Sequence, residues 1–121
     1  MPAEIVTRRA YEPPSPKDGY RVLVDRIWPR GVKKVDLDIA DWMRHLAPSD
    51  ALREWFGHEP PKWAEFKKRY FAELDALTGE GAAELATLRQ HVADDPQVTL
   101  VFGAHDEKHN NAVALADYLR P

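Results

Sequence analysis

The sequence predicts an α/β fold: a three-layer sandwich with a small, mainly parallel sheet of about three strands and helices on both faces. Three observations carry that prediction. Two short, β-branched apolar runs, YRVLVDRI (20–27) and VTLVFG (98–103), are bounded by the breakers Asp18-Gly19 and Asp95-Pro96. Near-continuous apolar runs suit strands covered on both faces, as parallel sheets are. Between the runs the apolar spacing turns helical, and a strand–helix–strand order implies a right-handed crossover to a parallel neighbour. Finally, 121 residues with 44% hydrophobic and 31% charged side chains fit one domain, residues 1–121, large enough for a core without covalent staples.

In chain order, EIVTR (4–8) is a weaker strand candidate. The link that follows, AYEPPSPKDG, is too proline-rich for a helix and leaves that strand's direction open. Ile39, Met43 and Leu46 recur at helical spacing, and Leu52, Trp55 and Phe56 do so after Pro48-Ser49, where Ser49 can cap the helix. The longest helix is expected from about Pro61, since the first helical turn tolerates a missing amide hydrogen. Its buried stripe is Trp63, Phe66, Tyr70, Leu74 and Leu77, and TGEG (78–81) ends it. Leu85, Leu88 and Val92 mark another helix; Ala112, Leu115, Ala116 and Leu119 mark the last.

The chain has no cysteine, which removes thiol nucleophiles, thiolate metal sites and disulfides. No apolar run approaches the length of a membrane span, and MPAEIVTRRA lacks a signal-like apolar core, so a cytoplasmic location without membrane contact is expected. Net charge is −3, unevenly spread: residues 1–70 carry 14 Lys/Arg against 11 Asp/Glu, and residues 71–121 carry 3 against 9. Such asymmetry permits an anionic partner on one side, and also fits an ordinary mixed surface.

Ligands of open parallel sheets bind beyond the carboxyl ends of the strands. Both clear strands end in polar sequence, Asp25-Arg26-Ile27-Trp28-Pro29-Arg30-Gly31 and Gly103-Ala104-His105-Asp106-Glu107-Lys108-His109-Asn110-Asn111. If the strands are neighbours, the two ends share a cleft. Asp25 follows three apolar residues and needs a partner, Arg26 or Arg30; it is a candidate acid/base group. The arginine forks suit phosphate or carboxylate, and Gly31 permits close backbone approach to a ligand. Trp28-Pro29 reads as a rigid aromatic wall, either scaffold or stacking surface. Asp106 stands where a helix cap is expected. His105 and His109 share a face if the last helix begins early, yet a metal reading needs a third ligand such as Asp25 or His58, so no metal site is assigned. Asn110 and Asn111 are poor helix formers in a first turn, and Asn110 looks chosen for a ligand rather than for structure. In the corner WFGHEPPKW (55–63), His58 is a further acid/base candidate, or a histidine bonded to a helix end.

The segments RRAYEPPSPKDGYRVLVDRIWPRGVKK, APSDALREWFGHEPPKW and GAHDEKHNNAVALADYL together resemble the YeaO-like branch of the bacterial domain-of-unknown-function family 488, over nearly the whole chain. The resemblance implies a compact three-layer α/β domain and favours a parallel first strand. It brings no activity and no cofactor. By matching motif it marks Arg8, Tyr11, Asp25, Arg26, Trp28, Pro29, Arg30, Gly31, His58, Asp106, His109 and Asn110.

Two functional readings follow. One is a ligand-binding or enzymatic site for an anionic, nucleotide-like compound, with Asp25, His58 and His109 as catalytic candidates. Arg8, Tyr11, Arg26, Trp28, Arg30, Gly31, Asp106 and Asn110 are then the substrate-binding candidates. No GxGxxG or GxxxxGK[ST] phosphate loop is present. The alternative is a nucleic-acid-binding module built on Arg26, Arg30, Lys33 and Lys34 with the helix face Lys62, Lys67, Lys68 and Arg69, or a protein-interaction domain.

Overall fold

Residues 2–120 are described by a computed structural model of the chain. Four strands, β1 (Glu4–Arg9), β2 (Tyr20–Leu23), β3 (Asp41–Trp42) and β4 (Gln97–Phe102), form one sheet in the order β1-β4-β2-β3. Every pairing is parallel, β1 included. β4 lies between β1 and β2, with Ile5 opposite Val98 on one side and Val22 opposite Leu100 on the other. Its sequence suits that place, because Val98 through Phe102 are all buried. The fourth strand, β3, has only two residues and extends the sheet beyond the three expected.

Side chains alternate between sheet faces, and here the two faces are covered unequally. Val22, Val24, Val98, Leu100 and Phe102 join the main core, to which helices α2 (Asp50–Phe56), α3 (Trp63–Asp75), α4 (Gly79–Asp94) and α5 (Asn111–Leu119) contribute Phe56, Phe66, Tyr70, Leu88 and Leu115. Leu23 and Val101 point the other way, into a smaller cluster with Ala10, Leu37, Trp28, Ile39 and Trp42. Among the described residues, the α-helix on that face is the single turn α1 (Lys34–Leu37). The proline-rich link from β1 to β2 crosses this second face: Thr99 Oγ donates to the Asp18 carbonyl (2.6 Å), and Asp18 pairs with buried Arg21 (2.7 Å). Gly19 closes the link at φ 64°, where a Cβ would lie 2.2 Å from the Gln97 carbonyl oxygen.

Three sequence expectations are corrected. Residues 39–46 are not a helix: Asp38 leaves α1 at φ 50°, β3 pairs with β2, and a 3-10 turn follows at Arg44–Leu46. Ile39 packs on the second face while Met43 and Leu46 pack on the first, so the helical spacing straddles the sheet. α3 starts at Trp63 after a 3-10 turn at Pro60–Lys62, and at 13 residues it is shorter than α4 at 16. α3 already ends at Asp75, so TGEG does not end it but opens α4, where Gly81 sits so close to Leu77 that a Cβ would meet Cδ2 at 2.8 Å. By contrast, Ser49 caps α2 as expected, accepting from the Leu52 amide (3.2 Å).

Candidate functional site

Asp25 is held by three separate elements. β2 stops at Leu23, and the chain turns so that Asp25 Oδ2 accepts the Gly103 amide just past β4 (2.8 Å). Oδ1 accepts from Asn111 Nδ2, at the start of α5 (3.0 Å), and the same amide group also donates to the Val24 carbonyl (3.1 Å). The indole Nε1 of Trp42, in β3, donates to the Asp25 carbonyl (2.7 Å). A Cβ at Gly103 would lie 3.3 Å from Asp25 Oδ2, so a larger residue there would press on the carboxylate. Burial pushes the Asp25 carboxyl above the usual carboxylate range, outweighing the Gly103 and Asn111 hydrogen bonds and the more distant Arg53 charge, which pull it down.

Across from Asp25, the loop after β4 is organised by Asp106. Its Oδ1 accepts the amides of Lys108 (2.8 Å) and His109 (3.0 Å), and its Oδ2 meets His109 Nδ1 at 2.9 Å. These bonds, that of the Lys108 amide first, hold the Asp106 carboxyl below its ordinary value. A carboxylate at Nδ1 places a proton there and leaves Nε2 as the variable nitrogen of the ring. Trp63 packs edge-on against that ring at 5.4 Å.

Helix α5 begins at Asn111, too late for His105 and His109 to share a helical face. Its cap is Asn110 rather than Asp106. Asn110 is 3% exposed; its Oδ1 accepts from Val113 and its Nδ2 donates to the Asp106 carbonyl, both at 2.9 Å. The residue expected to be chosen for a ligand is thus committed to structure. Its neighbour Asn111 reaches Asp25 instead.

Between the two strand ends lies a cleft of about 380 Å³. Asp25, Arg26, His58, His109, Asn110 and Asn111 line it, with apolar surface from Ile27, Ala47, Pro48, Phe56, Phe66 and Ala104. Arg53 and Glu54 of α2 also line it. Arg26 and Arg53 both approach one oxygen of Asp50, at 3.7 Å and 2.8 Å. Arg26 Nη2 reaches the Pro48 carbonyl at 3.5 Å, while its buried Nε has no hydrogen-bond partner. His58 enters the cleft from a left-handed backbone conformation, φ 56°, after Gly57 at φ 54°.

The remaining candidates stand elsewhere. Trp28 belongs to the second-face cluster; its Nε1 donates to the Val32 carbonyl (2.7 Å), and its ring meets Trp42 edge-on at 5.5 Å. With Lys34, Ile39, Ala40 and Asp41 this pair lines a second hollow of about 510 Å³. Arg8 donates to the Pro13 carbonyl (3.2 Å) and pairs with Glu12 (3.6 Å). The Tyr11 hydroxyl donates to the Arg30 carbonyl (3.1 Å), with Arg9 over its ring. The Arg30 side chain is exposed and lines neither hollow. Gly31 stands in open space at φ 79°, so it serves the turn, not a close approach.

The segment 25–31 therefore divides between two faces after Ile27. Sequence reasoning missed Arg53 and Glu54, which resemble ordinary exposed helix residues, and the part played by Asn111, whose only signal was a second amide at the head of a helix. The basic residues in and just before α3 are largely engaged by acids: Lys62 with Glu59 (2.9 Å), Lys67 with Asp117 (2.6 Å) and Arg69 with Glu65 (2.9 Å). Among the described residues, no group of three His, Asp or Glu side chains is placed to hold a metal ion, and no helix is long and apolar enough to cross a membrane.

Residues 4–121 match a family model described as the inactive DUF488-N3 subclade. The chain is 41% identical to the uncharacterized protein YeaO of Escherichia coli (strain K12) over 116 residues, 96% of each chain. It is also 45% identical over 94 residues to the uncharacterized protein Rv3073c of Mycobacterium tuberculosis (strain ATCC 25618 / H37Rv), covering 70% of this chain and 80% of that one. No solved structure matches. The family match spans both strand ends that build the cleft, and the chain belongs to the DUF488 family, in its YeaO-like branch.

Proposed function

We propose that the cleft between the ends of β2 and β4 binds a small anionic compound, and that the protein holds this ligand rather than transforming it. The observation that carries the reading is the convergence of Arg26, Arg53, His58 and His109 on one cavity of about 380 Å³. That size falls at the lower end of the range for small-molecule sites. Arginine forks bind carboxylate or phosphate oxygens, and the α5 N-terminus adds a favourable dipole from the same side. Binding is preferred to turnover because the matching subclade is described as inactive. Asp25 and the two histidines then orient the ligand, and Asn110 contributes wall.

One observation favours the catalytic alternative, the Asp106–His109 pair, which sets an imidazole tautomer as a general base requires. The nucleic-acid reading is weakened by the acid partners of Lys62, Lys67 and Arg69.

Thermal unfolding with a panel of phosphorylated and carboxylated metabolites tests the reading. A ligand at about 100 times its Kd stabilises by about 2.7 kcal/mol, a rise in Tm on the order of 10 °C for a domain of this size. Arg26→Ala and Arg53→Ala should abolish the rise and Arg30→Ala should keep it. No shift across the panel overturns the proposal, and conversion of the bound compound to product would favour catalysis.

A further inference from the structure

Asp25 is an unusual carboxylate within this molecule. Other partly or fully buried acids sit against a cation or a histidine: Asp18 against Arg21 (2.7 Å), Glu84 against His45 (2.6 Å), Asp117 against Lys67 (2.6 Å) and Asp106 against His109 (2.9 Å). Asp25 receives only neutral donors, the Gly103 amide and the Asn111 side chain, and forms no ion pair among the described residues. Glu73 is likewise served by neutral donors, the Ser49 amide and hydroxyl, but it braces the start of α2 and does not line the cleft. A carboxylate withdrawn from water is costly without a compensating charge. Asp25 is both withdrawn and open to a cavity, and each of its oxygens retains a lone pair after its one recorded bond.

The opposite charge lies at the rim. Arg26 and Arg53 share a single carboxylate oxygen of Asp50, whose side chain is 67% exposed. Exposed ion pairs are worth little, so an incoming anion displaces Asp50 at small cost. Phe56 and Phe66, stacked at 4.4 Å, line the same cleft with apolar surface.

Taking the cleft to be a ligand site, as proposed above, we infer that its ligand is a zwitterion. A protonated amine docks on Asp25, a carboxylate or phosphate takes the place of Asp50 between Arg26 and Arg53, and an apolar flank lies on Phe56 and Phe66. Asp25 is then the residue that separates amine-bearing anions from plain ones.

Matched probes test this by calorimetric titration of the full chain: L-phenylalanine against 3-phenylpropionate, L-leucine against 4-methylpentanoate, and phosphoethanolamine against ethyl phosphate. In at least one pair the zwitterion should bind tenfold or more tighter than its amine-free partner. Asp25→Asn should reduce that preference below threefold while the amine-free anion still binds, and Asp50→Asn should tighten binding of both. The wild-type pairs decide the question even if Asp25→Asn fails to fold. Equal affinity within every pair, or no zwitterion binding at all while other anions stabilise the protein, overturns the inference and leaves the anion site standing. Failure of every anion in the broader panel removes both.

Discussion

The loops that follow β2 and β4 are both polar and both border the cleft, yet they are held in opposite ways. After β4, the polar groups serve one another: Asp106 binds the amides of Lys108 and His109 and the His109 ring, and Asn110 caps its own helix through Val113. After β2, they serve distant chain: Asp25 meets Gly103 and Asn111, Arg26 meets Pro48 and Asp50, and Trp42 secures the Asp25 carbonyl. One loop carries its own scaffold. The other is positioned by residues many tens of positions away, so its geometry reports on the whole fold. A polar segment in a sequence is thus no guarantee of a polar site in space, because Asp25–Ile27 face the cleft while Trp28 faces the opposite side of the sheet.

The adjacent amides Asn110 and Asn111 give the strongest test of that contrast. Asn111→Asp places a second carboxylate against Asp25 and should cost on the order of 3 kcal/mol at neutral pH, as broken buried polar contacts do. Asn110→Ala removes a helix cap and should cost about 1 kcal/mol. Urea unfolding measures both, and equal losses would mean that the two loops are held alike.

The two aspartates provide a finer test. The folded-state pKa of Asp25 is raised by burial, so its favourable contribution to stability is complete below about pH 4 and is lost as pH rises through that folded value. Asp106 behaves in the opposite sense: its pKa is lowered by hydrogen bonds, so its contribution is present above about pH 4 and is lost as pH falls through its folded value. Carbon-13 NMR titration of the side-chain carboxyls should show midpoints on opposite sides of the ordinary aspartate value. Midpoints on the same side would contradict the contrast.

The smallest effects belong to the part of the β2 loop that leaves the cleft. Gly31→Ala should cost about 1 kcal/mol, the strain of a left-handed conformation for a residue with a Cβ, with ligand binding unchanged. Arg30→Ala should change stability by less than about 0.5 kcal/mol. A loss of ligand affinity in either variant would return that part of the loop to the site.

Much of the architecture was legible because it is written locally. The β-branched apolar run at 98–103 gave β4, the spacing of Phe66, Tyr70 and Leu74 gave α3, and Ser49 marked the start of α2. The convergence of the two strand ends was legible too, since Asp25, Arg26, His58 and His109 do line one cleft. The illegible parts depend on distant pairing. β3 is two residues held by β2, and no local pattern distinguishes it from the helix that Ile39, Met43 and Leu46 imitate. The part played by Asn110 was illegible because α5 is capped four residues later than expected, at Asn110 instead of Asp106, which leaves Asn111 to reach across to Asp25.

The central position of β4 also sets when the protein can fold. β1 and β2 do not pair with each other; each finds its long partner only in residues 97–102. At translation rates of about 5–20 residues per second, Val22, Leu23 and Val24 wait roughly 4–16 s on the ribosome before β4 is even synthesised. Asp25 waits longer still, for Asn111. Sheet and cleft therefore arise together, late, in a step that closes nearly the full length of the chain, which places this small domain among slow folders for its size and gives nascent-chain chaperones an early apolar segment to shield.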